Sequence, residues 1–453
     1  MRSKTFHPIN QAVVLAIGLL VVQQLIVASS TIWITRLIAH IQEGHFVFYF
    51  LALYLAALLL PYFPGAAALV EMAKAKVRAN VQFTKCFANN YRGQVVEWAN
   101  SSHHTTKSSI LTGEAPQTIN GYLDFLYHFC SCSLSVVINL LVLAFIVEPL
   151  LLLSYAIGIT FAFLILHFQK RWKRILSLRA QQGRIKWLSM LFNAWDNVLL
   201  GNRYNFGLWQ NKTQQRAQRF TNSTIKLMGF SQGISVAMAF ALLAPTFALV
   251  CYLAVVNAQN LTWLAMLVVV LPRLFQVLSY SYEMLFVLAD FPMQKSRLQT
   301  VTKMLTAPEN SEESLEKRIQ WEKIQVVCAD KNRMVAKELL SALPTKGRLT
   351  LQGENGSGKT SLLLLVKMVQ KESAFYLPPK HGLEFVGIKD GLSTGQLACT
   401  ILQEFADKVT TPIILLDEWD ANLDSKNMKK LSKVIDKLAS KGIVIESRHR
   451  ISQ

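Results

Sequence analysis

Six apolar blocks, at about Val13–Ile38, Val47–Val70, Tyr122–Val147, Leu150–Phe168, Leu227–Val256 and Trp263–Ala289, constrain this chain more than any other feature. Each is long enough to cross a bilayer, for which a helix needs about 20 apolar residues. They account for the hydrophobic content of 52% in a chain whose last third reads as soluble. The blocks come in three pairs joined by very short connections, His40 to His45, Glu148-Pro149 and Asn257 to Thr262. The chain is therefore expected to carry a six-helix, all-α transmembrane domain over residues 1–305.

Charge assigns the sides. Between the pairs lie long polar segments: Ala73–Gly121 holds six Lys/Arg against two acids, and Gln169–Lys226 holds twelve against one. The short connections carry no Lys or Arg. The positive-inside rule then places both termini and both long segments in the cytoplasm. The net charge of +19 is concentrated beside the apolar blocks, which favours this topology over a nucleic-acid footprint. Both long segments are poor in Gly and Pro, so the membrane helices are expected to extend into the cytoplasm and turn back there, near Ser101–Ser109 and Trp195–Trp209. The apolar run after Met1-Arg-Ser-Lys4 is too long for a signal peptide and reads as a retained first helix. Cys86, Cys130, Cys132, Cys251, Cys328 and Cys399 are scattered and expected to be free thiols.

An amphipathic helix over Phe291–Leu305 is followed by an acidic, polar linker, residues 306–318. From Ile319 the character changes. Strand-like runs at Ile324–Cys328, Arg348–Gln352, Ile413–Leu416 and Ile443–Ile445 alternate with helical patterns, including Asn427–Leu438, which predicts an α/β domain with a parallel sheet over residues 319–453.

That domain carries Gly353-Glu-Asn-Gly-Ser-Gly-Lys359-Thr360 between a strand and a helix. The spacing fits the phosphate-binding loop G-x-x-x-x-G-K-[ST], whose backbone N–H groups and helix N-terminus face phosphates. Gly353, Asn355, Gly356, Ser357, Gly358, Lys359, Thr360 and Ser361 are the nucleotide-binding candidates. Lys359 reaches the β- and γ-phosphates, and Thr360 ligates Mg²⁺. In Pro412–Glu418, a buried strand ends in two acids, 58 residues beyond Lys359. Asp417 is placed to hold Mg²⁺ through water, and Glu418 to orient or deprotonate the attacking water.

Three further stretches carry a family resemblance. Leu392-Ser-Thr-Gly-Gln396 resembles the LSGGQ signature of ABC transporters, Ala421-Asn-Leu-Asp424 their D-loop, and His449 falls where their switch histidine follows the last strand. With six membrane helices preceding the ATPase, the chain resembles a type I ABC exporter half-transporter. The pairing of Leu392–Gln396 with Asp417-Glu-Trp419 is similar to the branch that exports cyclic peptides and peptide siderophores. The resemblance implies ATP and Mg²⁺ as cofactors and a bacterial-type inner membrane as location. It further implies a homodimer in which Ser393, Gly395 and Gln396 of one copy, with Asp424, complete the site on Lys359 of the other, and His449 acts beside Glu418. The cargo would be a small molecule or peptide.

The sequence departs from the family at three points. The interval between Lys359 and Leu392 is short, implying a reduced helical subdomain. Pro379 stands where a Q-loop glutamine is expected, and proline has no side-chain amide to offer Mg²⁺. No adenine-stacking aromatic precedes the loop convincingly; Trp321 is the nearest. These departures support an alternative function, an ATP-binding membrane regulatory protein with weak or no hydrolysis. Within the membrane blocks, Arg273, Gln276, Tyr280 and Glu283 share one helical face, and Asp124, His128 and Asn139 join them from the third block. They serve either substrate contact or interhelical hydrogen bonding, with membrane-edge placement open for Asp124.

Overall fold

The computed structural model describes residues 6–44, 47–100, 110–191, 193–306, 312–328, 333–340, 343–379, 382–387, 394–408, 411–420 and 423–448. They form two compact units, one comprising Thr5–Thr84 and Ala115–Val301, the other built on Lys85–Glu114 and Thr302–Gln453.

The first unit is helical: α1 (Gln11–Gln42), α2 (Phe48–Leu59), α3 (Tyr62–Tyr91, which continues into the second unit), α5 (Ala115–Ile146), α6 (Leu150–Leu191), α7 (Ala194–Leu199), α8 (Arg203–Val256) and α9 (Leu261–Lys303). Among the described residues six helical stretches are long and apolar enough to cross a membrane. The second block is divided at Leu60-Pro61, because proline lacks the N–H that would continue the ladder. The 54 residues of α8 span about 81 Å, well beyond a hydrocarbon core of about 30 Å. Burial on α1 is inverted relative to a soluble helix. Gln24, Ser30, Thr31 and Thr35 are buried, whereas Val14, Leu15, Val22 and Leu25 are exposed, as lipid-facing surface would be. The backbones of α6 and α8 approach so closely that a Cβ on Gly158 would lie 3.2 Å from the Leu242 Cα. Small residues permit that approach where membrane helices have no hydrophobic drive to associate.

The second unit holds the short helix α10 (Glu312–Glu316) and a six-stranded sheet in the order β2-β1-β3-β6-β5-β4. Its strands are β1 (Gln325–Cys328), β2 (Arg333–Val335), β3 (Gly347–Gln352), β4 (Ala374–Leu377), β5 (Ile413–Leu416) and β6 (Ile443–Ser447). The all-parallel expectation is corrected on one side: β3, β6, β5 and β4 are parallel, but β1 runs antiparallel to both β2 and β3. Only four residues join β1 to β2, too few for the crossover that parallel pairing requires. Strands β2 and β4, of three and four residues, add to the four that the sequence predicts. The strands β5 and β6 are buried on both faces because α11 (Lys359–Gln370), α12 (Thr394–Lys408) and α13 (Ser425–Ala439) cover the sheet; β5 is apolar throughout, and β6 is apolar up to Glu446 and Ser447.

Candidate functional site

The carboxyl ends of β3, β6 and β5 open on one edge of the sheet, the edge at which α/β proteins bind ligands. The loop after β3 turns through left-handed conformations at Gly356 (φ +84°) and Gly358 (φ +96°), which residues bearing a Cβ adopt at a cost. A Cβ at Gly358 would also stand 2.5 Å from the Arg318 carbonyl oxygen. Helix α11 begins at Lys359, so the loop delivers its N–H groups and the positive end of a helix to one point. Lys359 Nζ donates to the loop's own carbonyls, Gly353 O at 2.8 Å and Glu354 O at 3.1 Å. Ser357 is buried, and its Oγ has no hydrogen-bond partner among the described residues. Thr360 is exposed and Ser361 half-buried; Asn355 is exposed on the loop. A lysine parked on carbonyls, two left-handed glycines and unpaired helix N–H groups together fit a polyphosphate. A hollow of about 330 Å³ beside the loop is lined by Lys323, Gln325, Gln352, Gly353 and Glu354. Among the described residues no aromatic lines it, and Trp321 packs instead against the core of the sheet.

Asp417 is 2% exposed at the end of β5. Both of its carboxylate oxygens are engaged: Ser447 Oγ donates to Oδ1 at 2.6 Å and the Tyr376 hydroxyl donates to Oδ2 at 3.0 Å. A cation at this site therefore meets a carboxylate already oriented from two neighbouring strands, which suits contact through water. Burial, then the charge of Asp417 and the hydrogen bond to it, push the Tyr376 hydroxyl far above the ordinary phenol range, so it remains a donor. Glu418 has φ +43°, rare for a residue with a Cβ, and its N–H donates to Ser447 Oγ at 3.0 Å. Strain of this kind, on the order of 1–3 kcal/mol, persists where surrounding contacts over-determine the backbone.

Next to this pair, Glu446 is fully buried and accepts from four side chains. Arg348 donates with Nε at 3.0 Å and Nη2 at 2.8 Å, Thr350 Oγ1 at 2.9 Å, Trp419 Nε1 at 2.8 Å and Arg448 Nε at 2.8 Å. Burial opposes the charge on Arg348, but the hydrogen bonds and charges of Glu446 and Asp436 outweigh it and hold the guanidinium above its usual value. Sequence reasoning missed Tyr376, Glu446 and Ser447. The one available signal was a carboxylate and a hydroxyl ending an apolar strand, Ile443–Ser447.

The same unit contains the short helix α4 (Val95–Trp98). Val95, Val96 and Ala99 pack on the sheet core, Trp98 meets the Tyr376 ring edge-on at 5.5 Å, and Arg318 Nη1 donates to Ala99 O at 3.4 Å. Arg92 pairs with Glu372 at 3.0 Å on the exposed surface. Asp424 caps α13, accepting from Asn427 N at 2.6 Å, while Gly395 and Gln396 lie in the first turn of α12. Ser393, His449 and the turn Ser101–Ser109 lie outside the described residues. Pro379 is exposed just beyond β4, and the described residues between β4 and α12 contain no helix. There Glu404 of α12 accepts from the N–H groups of Val386 and Gly387, which draw its carboxyl below the usual range.

In the helical unit the polar residues separate into pairs. Arg273 donates to Thr31 Oγ1 (3.2 Å), Ser30 Oγ (2.8 Å), Gln276 Oε1 (2.6 Å) and Val27 O, so it ties α9 to α1. Asn139 donates to Ser135 O on its own helix at 2.7 Å, and Lys76 pairs with Asp124 at 2.6 Å.

Long membrane-capable helices and a sheet unit with a strand–glycine loop–helix at its carboxyl edge define the fold class of an ABC exporter. A solved structure with this fold is a bacterial Atm1-family ABC exporter with ATP bound. It matches over 97% of this chain and 91% of its own, at 11% identity and a TM-score of 0.59. No family model matches the sequence, and no curated protein matches it. The chain is thus a multi-pass membrane protein with an ABC-exporter fold.

Proposed function

We propose that the chain is an ATP-driven exporter that works as a homodimer in a bacterial-type inner membrane, with the sheet unit cytoplasmic and a small molecule or peptide as cargo. The observation that carries this reading is the convergence of the Gly353–Thr360 loop with Asp417 and Glu418 on one sheet edge. Lys359 exchanges the Gly353 and Glu354 carbonyls for β- and γ-phosphate oxygens; Thr360 and Asp417 are the residues that would hold Mg²⁺. Bound Mg²⁺ would neutralise charge on the transferring phosphoryl group. Glu418 takes a proton from the attacking water, with His449 beside it. Ser393, Gly395 and Gln396 of a second copy close the site from outside, near Asp424. Purified protein should hydrolyse ATP in the presence of Mg²⁺, and Lys359→Ala should lower turnover by about 10²-fold or more. A wild-type rate no higher than that of Lys359→Ala would leave the regulatory reading in its place. The compound that accumulates in cells lacking the protein would identify the cargo and test the similarity to peptide and siderophore exporters.

Pro379 cannot link the nucleotide to the membrane helices, and the chain from Trp98 through Tyr376 to Asp417 supplies a substitute. The Tyr376 ring abuts α4 while its hydroxyl holds the carboxylate that would face Mg²⁺. Tyr376→Phe keeps the ring but removes one donor to a buried carboxylate, worth about 1–3 kcal/mol. We expect kcat to fall about tenfold or more with KM for ATP unchanged, and Trp98→Ala to add little in the Tyr376→Phe background. Additive effects of the two substitutions would show that the contacts are independent.

A further inference from the structure

Among the described residues, one cluster of metal-ligating side chains lies away from the nucleotide site. His128 and Cys132 stand one helical turn apart on α5, and Glu283 reaches them from α9. His128 Nε2 is 4.0 Å from Cys132 Sγ and 3.8 Å from Glu283 Oε2, and Cys132 Sγ donates to Glu283 Oε2 at 3.6 Å. Tetrahedral zinc with one nitrogen, one oxygen and one sulfur ligand has ligand–ligand edges of about 3.4–3.6 Å. The three donors therefore need to draw together by only a few tenths of an ångström. Cys132 is buried at the back of the cluster, whereas the side chains of His128 and Glu283 are about half exposed, which leaves a fourth position open.

We propose that His128, Cys132 and Glu283 form a binding site for a transition-metal dication of the Zn²⁺ type on the membrane-spanning helices. The mixed nitrogen, sulfur and oxygen donors suit Zn²⁺ or Co²⁺; Mg²⁺ and Ca²⁺ prefer oxygen alone. Charge balance favours the site. On binding, the Cys132 thiol releases its proton to solvent and the thiolate, the Glu283 carboxylate and a neutral His128 surround the dication, giving a complex of zero net charge. Without the metal, Glu283 is an ionisable side chain on an apolar helix, with Cys132 Sγ donating to it and His128 Nε2 beside it, a costly residue within a bilayer. The neighbouring charges are committed elsewhere: Asp124 to Lys76, and Arg273 to α1 and Gln276.

The experiment uses the full-length protein in lipid nanodiscs, stripped with a chelator and titrated with Co²⁺, then with Zn²⁺ against a chromophoric chelator. One equivalent of Co²⁺ per chain should bring up a thiolate-to-cobalt charge-transfer band. Cys132→Ser should abolish that band while Cys130→Ser retains it, and His128→Ala and Glu283→Gln should each weaken Zn²⁺ binding by about tenfold or more. Absence of the band in the folded wild type would overturn the proposal. So would Zn²⁺ affinity unchanged by all three ligand substitutions, which would mark surface binding only. The outcome is independent of ATP hydrolysis, so failure here leaves the exporter reading intact.

Discussion

Glu418→Gln should lower ATP turnover by about 10³-fold, within the range that a positioned general base contributes, and leave ATP affinity unchanged. Glu418 follows the buried Asp417 directly, and its N–H is fixed by the same Ser447 hydroxyl that donates to Asp417 Oδ1. Its backbone is kept at φ +43°, so a strained residue is placed at the carboxyl edge beside the phosphate loop. Glutamine preserves the size and hydrogen-bonding shape of the side chain but cannot accept the proton. Loaded with ATP and unable to hydrolyse it, the variant should also accumulate as a closed dimer, detectable by cross-linking of purified protein. Turnover equal to wild type would remove Glu418 from the mechanism, and a variant that stayed monomeric with ATP bound would remove the composite site.

The second large effect concerns stability. Glu446→Ala should destabilise the sheet unit by about 3 kcal/mol, the low end for breaking a buried ion pair. It orphans the buried Trp419 Nε1 and removes both Glu446 contacts of Arg348. The cost is held down because Arg348 Nη1 keeps Asp436 Oδ1 at 2.5 Å and Ser432 Oγ at 3.0 Å. For a unit of this size that shift corresponds to roughly 10 °C in the midpoint of thermal inactivation of ATP binding. Glu446→Gln, which keeps an acceptor for Trp419, should lose less than Glu446→Ala. Equal losses in the two variants would mean that the carboxylate charge paired with Arg348, and not the acceptor kept for Trp419, sets the stability.

In the exporter reading, Trp98 and Tyr376 would take the place of the missing glutamine, with a hydroxyl on the Asp417 carboxylate where the glutamine would offer an amide to Mg²⁺. The same hydrogen bonds hold the carboxyl edge of the sheet unit together. Between β4 and α12 the described chain has no helix, yet Val386 and Gly387 are pinned to Glu404. The ends of β4, β5 and β6 meet through the Tyr376, Asp417 and Ser447 hydrogen bonds. The site is held from within the sheet.

The sequence by itself determined whatever is confined to one element or one short loop. Six apolar runs gave six membrane-capable helices, and the spacing of Gly353–Thr360 between a strand and a helix gave the loop on β3 and α11. The run Ile413–Leu416 before Asp417 gave a buried strand with acids at its end. What only the tertiary structure decided lies between elements distant in the chain. Ser447 meets Asp417 because β6 is inserted between β3 and β5, and Tyr376 reaches it because β4 pairs with β5 in register. Cys132 meets Glu283 across 151 residues because α5 packs against α9. Arg273, which shares a helical face with Glu283, is held by α1 instead of by that cluster. Hydrophobic period and motif spacing fix the face on which a side chain stands, but strand order, register and helix partner choose what it faces.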